Sequence, residues 1–362
     1  MAAPTEPVRD VRMGRLERLP WRRIILVVLG VAIAAIVVVG TFRTLSSGTY
    51  SGGAYRDFVV QGVSQGSIYA LIALGYGLVY GILRMINFAH GEVFMLGAFG
   101  SFFVADAYAS SGFLDRHPIP ALTVILLVAM LTSVLVAVLL ERIAYRPLRG
   151  APRLVPLITA IGASLFLQNT ARGFFGTNTK GYPQPEIFTG SWTILGVPFD
   201  RLQVVVFLVS AGAVAALSLF VAKTTTGKSM RAVAEDSEIA SLMGIDVNRV
   251  IVTTFAIGGL LAGVAGVLYA MTFKAVNFSM GVQPGIAAFT AAVLGGIGSI
   301  AGAAIGGLIL GLLESLGPAL ILTGFDVPSP FQLKNAFTFL ALVLVLIFRP
   351  GGLLGTGEAE KV

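Results

Sequence analysis

Ile119–Leu140 reads IPALTVILLVAMLTSVLVAVLL and contains no Asp, Glu, Lys or Arg. At ~1.5 Å per residue a helix of this length rises about 33 Å, enough to cross a hydrocarbon core of ~30 Å. Comparable uncharged runs occupy Ile24–Phe42, Phe58–Gly81, Leu154–Ala171, Leu202–Ala222 and Val250–Phe273. The rest of the composition agrees. Hydrophobic residues make up 56% of the 362, charged residues 12%, and mean hydropathy is +0.88. A soluble domain carries about 25% charged residues. These features predict an all-α, polytopic membrane helix bundle.

The chain has no cysteine, which excludes disulfides and thiolate metal sites. Its two histidines, His90 and His117, are far apart in sequence, which argues against a histidine metal centre or haem. No cofactor and no metal are expected. The first apolar run follows basic residues but is too long for a signal peptide, so it reads as a retained helix.

With about ten membrane segments, including broken or short helices, and an N-terminus inside, most of the 25 Lys and Arg fall on the inner side. That bias predicts both termini cytoplasmic. The pI of 9.8 follows from it, so anionic lipid is the expected partner and nucleic acid is not. Residues 1–23 form a basic tail, 24–350 the transmembrane region and 351–362 a second tail. Thr44–Asp57 and Gly176–Arg201 read as outer loops.

Val282–Leu313 is uncharged throughout, and as one helix it would be about 48 Å long. It must therefore break, and Gly295, Gly296 and Gly298 offer the place. The expected elements are Pro284–Ile297, Ile300–Leu322 and Phe331–Phe348. Gly302, Gly306, Gly307 and Gly311 have the small-xxx-small spacing that lets helices approach closely in lipid. Glu314 lies inside the second of these helices, where an unpaired carboxylate costs several kcal/mol, so it is expected to face the bundle interior.

Arg84–Leu96, RMINFAHGEVFML, sets polar residues in an apolar region. A spanning helix that begins only after Glu92 and runs Val93–Ala107 is too short, about 22 Å, so a start near Ile86 is expected. That places His90 and Glu92 about 6–12 Å inside the slab. Gly91 permits a break, and Asn87 can cap the half-helix beyond it. Two readings stay open: Asn87, His90, Gly91 and Glu92 line the translocation path or gate together with Glu314, or they cap a helix at its mouth.

Two motifs invite other functions. Ala222–Ser229, AKTTTGKS, fits a loosened phosphate-loop pattern but follows a membrane helix rather than a strand. Gly62-Val63-Ser64-Gln65-Gly66 fits G-x-S-x-G, the motif of a serine protease, but lies in a helical apolar run rather than a strand-to-helix elbow. No catalytic residue is expected.

Lys223–Val250 is polar and carries both signs of charge. Ala232, Ala234, Ile239, Ala240, Leu242 and Met243 give it an apolar side at helical spacing. Gly244 suits the end of a helix and Asp246 the cap of the next. One or two short amphipathic helices are expected, of the kind that sits in a partner's groove.

GKSMRAVAEDSEIASLMGI within this loop resembles the coupling loop of ABC importer permeases, in the form found in branched-chain amino acid permeases. MINFAHGEVFMLGAF, LGGIGSIAGAAIGG and the ending Phe348–Gly355 are similar to further segments of that family, in the same order. The N-terminal 50 residues are longer than the family pattern. The resemblance implies a multi-pass subunit of the bacterial cytoplasmic (inner) membrane that forms half a pore. Implied partners are a second homologous permease, two ATP-binding subunits and an extracytoplasmic solute-binding protein. The subunit itself hydrolyses nothing. Its coupling positions would be Arg231, Ala232, Glu235, Asp236, Ala240 and Gly244. Alternatives are a permease for urea, short amides or small organic acids, a secondary transporter, or an intramembrane serine protease.

Overall fold

The computed structural model describes residues 21–355 other than 153, 195 and 196. The basic tail before Trp21 and the end of the C-terminal tail lie outside the described residues. Among those described, nine helices are long and apolar enough to cross a membrane. In chain order the helices are α1 (Trp21–Ser47), α2 (Gly52–Leu83), α3 (His90–Ser110), a single turn α4 (Phe113–Arg116), α5 (Pro118–Leu140), α6 (Leu154–Phe175), α7 (Arg201–Lys223), the short pair α8 (Thr225–Glu235) and α9 (Ser237–Leu242), and α10 (Val247–Phe273). After these come α11 (Val282–Gly295), α12 (Ile300–Gly317) and α13 (Lys334–Phe348). The all-α bundle is thus as the hydropathy predicts, with α11 the short element among the spans.

The break before α12 falls at the expected glycines. Gly296 and Gly298 have φ of 105° and 94°, a region open to glycine and closed to most side chains. The Thr44–Asp57 loop is shorter than expected, because α1 runs to Ser47 and α2 starts at Gly52. Ser51 makes this early start possible: its side chain accepts a bond from the Ala54 amide and caps α2. Arg56 and Asp57 then sit in exposed turns and bond each other.

Burial sorts the helices by role. α2 and α10 are central, each with 72% of its apolar window buried, whereas α1 is at 6% and faces outward along nearly all its length. In lipid there is no hydrophobic force between helices, so the centre is held by close packing. Gly66 meets Gly307: a β-carbon on Gly66 would lie 2.7 Å from the Gly307 carbonyl oxygen. Gly62 and Gly311 meet in the same way, so α2 and α12 touch along a seam of backbone. Gly302 and Gly306 do the same for α12 against α11, at Gly295 and Ala291.

Gly176–Arg201 holds two small antiparallel pairings. β1 (Lys180–Gly181) pairs with β4 (Ala275–Val276), and β2 (Ser191–Ile194) with β3 (Val197–Asp200). Tyr182 anchors this loop with its hydroxyl 2.9 Å from Ser101 Oγ on α3. Burial pushes its phenol up to about 12.

Candidate functional site

The first residues of the Arg84–Leu96 segment enter the bundle without helix. α2 ends at Arg84, which adopts the left-handed conformation (φ 53°) with its amide bonded to the Tyr80 carbonyl. The next residues run irregularly to α3, which begins at His90 rather than near Ile86. The expected start assumed an end at Ala107. The helix instead continues to Ser110, so its 21 residues have enough length without the earlier ones. His90 packs on Gly75, whose missing side chain makes its space, and on Tyr76 with ring centroids 5.0 Å apart. Gly75 is about 12 Å along α2 from its end at Leu83. His90 therefore sits deep within the bundle.

Asn87, His90 and Glu92 are buried to 2% exposure or less. Asn87 does not cap α3 with its side chain. Its Oδ1 accepts from Tyr145 Oη at 2.5 Å, and its carbonyl accepts from the His90 amide at 3.1 Å. Glu92 accepts from Ser164 Oγ at 3.2 Å on one oxygen, while its other oxygen and His90 Nε2 have no hydrogen-bond partner among the described residues. Gly91 faces Gly281: a β-carbon there would lie 2.5 Å from the Gly281 carbonyl oxygen. The starts of α3 and α11 therefore abut through glycine inside the bundle.

This arrangement comes from a repeated segment. Arg84, Asn87, Phe88, Gly91 and Phe99 match Lys274, Asn277, Phe278, Gly281 and Phe289, each 190 positions on. Lys274 ends α10 in the left-handed conformation (φ 51°), as Arg84 ends α2. The Asn277 carbonyl accepts from the Met280 amide, as that of Asn87 does from His90. Sequence reasoning did not single out Lys274, Asn277, Gly281 or Gly285. The recurring Asn-Phe-x-x-Gly after a basic residue was the available signal.

Glu314 is placed by α12 against α2 and α13, apart from the His90 group. Gln65 Nε2 donates to it at 3.0 Å, Tyr69 Oη at 2.7 Å, and the Thr338 hydroxyl also donates. The G-x-S-x-G serine lies within α2, about 16 Å by helix rise from Gly75, where His90 sits. Ser64 and His90 form no catalytic pair.

At the far end of α2 and α10 stands the α8–α9 pair. Thr224 caps α8 by accepting from the Gly227 amide, and Asp236 caps α9 by accepting from Glu238 and Ile239. This helix–cap–helix junction has no strand, so AKTTTGKS forms no phosphate loop. Gly244 (φ 85°) ends α9 and Asp246 caps α10 through the Arg249 amide, as expected. Arg231 donates to the Val221 carbonyl at the end of α7, where a cation favours the helix dipole. Met230, Val233, Ala240 and Val250 form a small core that fastens the pair to the bundle. Ala240 therefore faces inward and Ala232 is half-buried, whereas Glu235 and Gly244 are exposed. Leu242 and Met243 are 86% and 78% exposed beside an exposed Ile239.

Two arginines tie this end to the interior. Arg84 donates to the Ala234 carbonyl at 3.3 Å. Arg149 donates to Asn248 Oδ1 at 2.5 Å and to Glu141, which is fully buried in the π-helical turn (Glu141–Tyr145) that ends α5.

Broken helices inside a glycine-packed bundle, with a helical pair displayed at one end, define a membrane transport protein. A family model described as the permease component of branched-chain amino acid transport systems matches residues 58–346, and the chain belongs to that family. It is 44% identical over 311 residues to a high-affinity branched-chain amino acid transport system permease protein of Pseudomonas aeruginosa, covering 85% of this chain and 98% of that one. A permease of the same description from Escherichia coli K12 is 42% identical over 310 residues, covering 83% and 96%. An autoinducer 2 import system permease of E. coli is 27% identical over 194 residues, about half of each chain. No solved structure matches.

Proposed function

We propose that the chain is the permease subunit of an ABC importer for branched-chain amino acids in the bacterial inner membrane. It forms half the translocation pathway beside a second, homologous permease. Two ATP-binding subunits drive it, and an extracytoplasmic solute-binding protein delivers the solute. The α8–α9 end is cytoplasmic, as is each terminus. Supporting this, Lys223, Lys228, Arg231, Arg249, Arg142, Arg146 and Arg149 cluster toward that end in sequence.

The observation that carries the reading is the apolar patch of Ile239, Leu242 and Met243, displayed beyond the membrane helices on a short helix fixed to the core. It is the docking surface for an ATPase subunit. Arg231, Ala232, Asp236 and Ala240 set the shape of the pair, and Glu235 and Gly244 flank the contact. Asn87, His90, Gly91, Glu92 and Glu314 shape the path or its gate. ATP hydrolysis belongs to the partners.

Purification of the tagged chain from its native membrane tests this. An ATPase subunit should co-purify with wild type and be lost from a Leu242→Asp/Met243→Asp variant that still folds. Proteoliposomes of the whole complex with its binding protein should then take up leucine in an ATP-dependent manner. Uptake of urea or a short amide in place of leucine would transfer the reading to a sister importer. Leucine uptake without ATP would refute it.

A further inference from the structure

At the end of the bundle opposite α8–α9, a cavity of about 370 Å³ opens between α2, α12 and the start of α13. Phe58, Gln61, Gln65, Glu314, Phe331 and Lys334 line it. Three cavities between the helices are lined mostly by apolar residues; a smaller one beneath the outer loop at Asp200 and Lys274 is polar, and so is this one. Here an acid and a base share one small space without forming an ion pair.

Each charge has capacity to spare. A carboxylate offers about four lone-pair positions. Gln65, Tyr69 and Thr338 occupy three on Glu314, which leaves one on the oxygen that Thr338 bonds. Lys334 is the first residue of α13, where a cation opposes the helix dipole and no side chain caps the turn. It stacks over the Phe273 ring at 5.8 Å. An anion placed there would meet both the ammonium and the helix start. Beside the charges, the rings of Phe58 and Phe331 lie 5.4 Å apart and supply an apolar wall. A pocket of this size is at the small end of ligand sites.

We propose that this cavity binds a small zwitterion with an apolar tail: the ammonium at Glu314, the carboxylate at Lys334, and the tail along Phe58 and Phe331. The occupant is a free apolar amino acid. The site is thus an entry station for the solute of the importer proposed above, and it rests on that reading. Recognition in the permease falls on the head group common to the class, and the apolar wall admits tails of different shape. The same head-group chemistry occurs in phosphatidylethanolamine, so the test must separate the two.

The experiment is saturation-transfer NMR on the detergent-purified permease complex without its binding protein. The probes are L-leucine, isoamylamine, which lacks the carboxylate, and 4-methylpentanoate, which lacks the ammonium. Wild type should saturate leucine more strongly than either analogue. Glu314→Gln should weaken leucine and isoamylamine at least tenfold and spare 4-methylpentanoate. Lys334→Gln should do the reverse for the two analogues and weaken leucine to the same degree. Lys334 is on the cavity rim, so its variant keeps the test alive if Glu314→Gln fails to assemble. Leucine binding unchanged in both variants overturns the proposal. So does leucine that binds wild type only after short-chain phosphatidylethanolamine is removed, since the site then belongs to lipid. Failure of the importer reading shows separately, as absence of ATP-driven leucine uptake by the complete wild-type system.

Discussion

Gly91→Ala is the sharpest test of the contact between the two broken helices. The added methyl would sit 2.5 Å from the Gly281 carbonyl oxygen and 3.3 Å from the Gly285 Cα. An ordinary contact between such atoms is about 3.4 Å, so the starts of α3 and α11 must separate by roughly 0.9 Å. Both neighbours are backbone and have no rotamer with which to yield. Overpacking of this kind costs about 1–3 kcal/mol, and alanine in a helix returns up to ~1 kcal/mol. The net loss of about 1–2 kcal/mol should lower the melting temperature of the detergent-purified chain by roughly 1–3 °C. Gly212→Ala in α7 is the control, because nothing lies within 4 Å of its added carbon. It should melt at or slightly above wild type. The assay is thermal unfolding followed by size exclusion, with leucine uptake measured on the same preparations. Equal melting temperatures for the two variants would refute the abutting-glycine geometry.

The buried Glu141 depends on Arg149, and removal of one partner from a buried pair costs about 3–5 kcal/mol. Arg149→Met should therefore destabilise strongly, and adding Glu141→Gln should recover part of the loss in a double-mutant melting series. Tyr145→Phe removes the donor to Asn87 without a change of shape and should cost about 1 kcal/mol, read as a lower melting temperature. Thr338→Val takes one of three donors from Glu314, which should cost about 1–2 kcal/mol in the same assay, whereas Thr123→Val on the exposed face of α5 should be neutral. Tyr182→Phe should loosen the outer loop, seen as faster proteolysis at 176–200 with the melting temperature of the helices unchanged.

The spans, the glycine break before α12, the end of α9 at Gly244 and the cap of α10 at Asp246 were legible because each has a local cause. An uncharged run has nowhere but the membrane to go, and Gly244 and Asp246 act on residues a few positions away; the equally local caps at Thr224 and Asp236 were not singled out. Glu314's inward orientation was also legible, from the cost of the alternative. Its partners Gln65, Tyr69 and Thr338 were not, since they come from helices distant in sequence. The start of α3 was misplaced for a related reason. Helix length was reckoned to Ala107, but the helix continues to Ser110 through exposed residues, and where it stops has no local mark in the sequence. The inward turn of Ala240 depends on the packing of Met230, Val233 and Val250, which helical spacing alone does not decide.

The seam between α2 and α12 has a consequence for how the molecule can move. Side-chain interfaces slide by exchanging rotamers, in small steps with low barriers. Gly62, Gly66, Gly307 and Gly311 have no rotamers to exchange, so their contact either holds or parts. The two helices are therefore bound to travel as one rigid body. Any opening of the bundle must take place where long side chains meet lipid-facing helices, such as α6 and α7, and the central pair serves as the fixed post against which they swing.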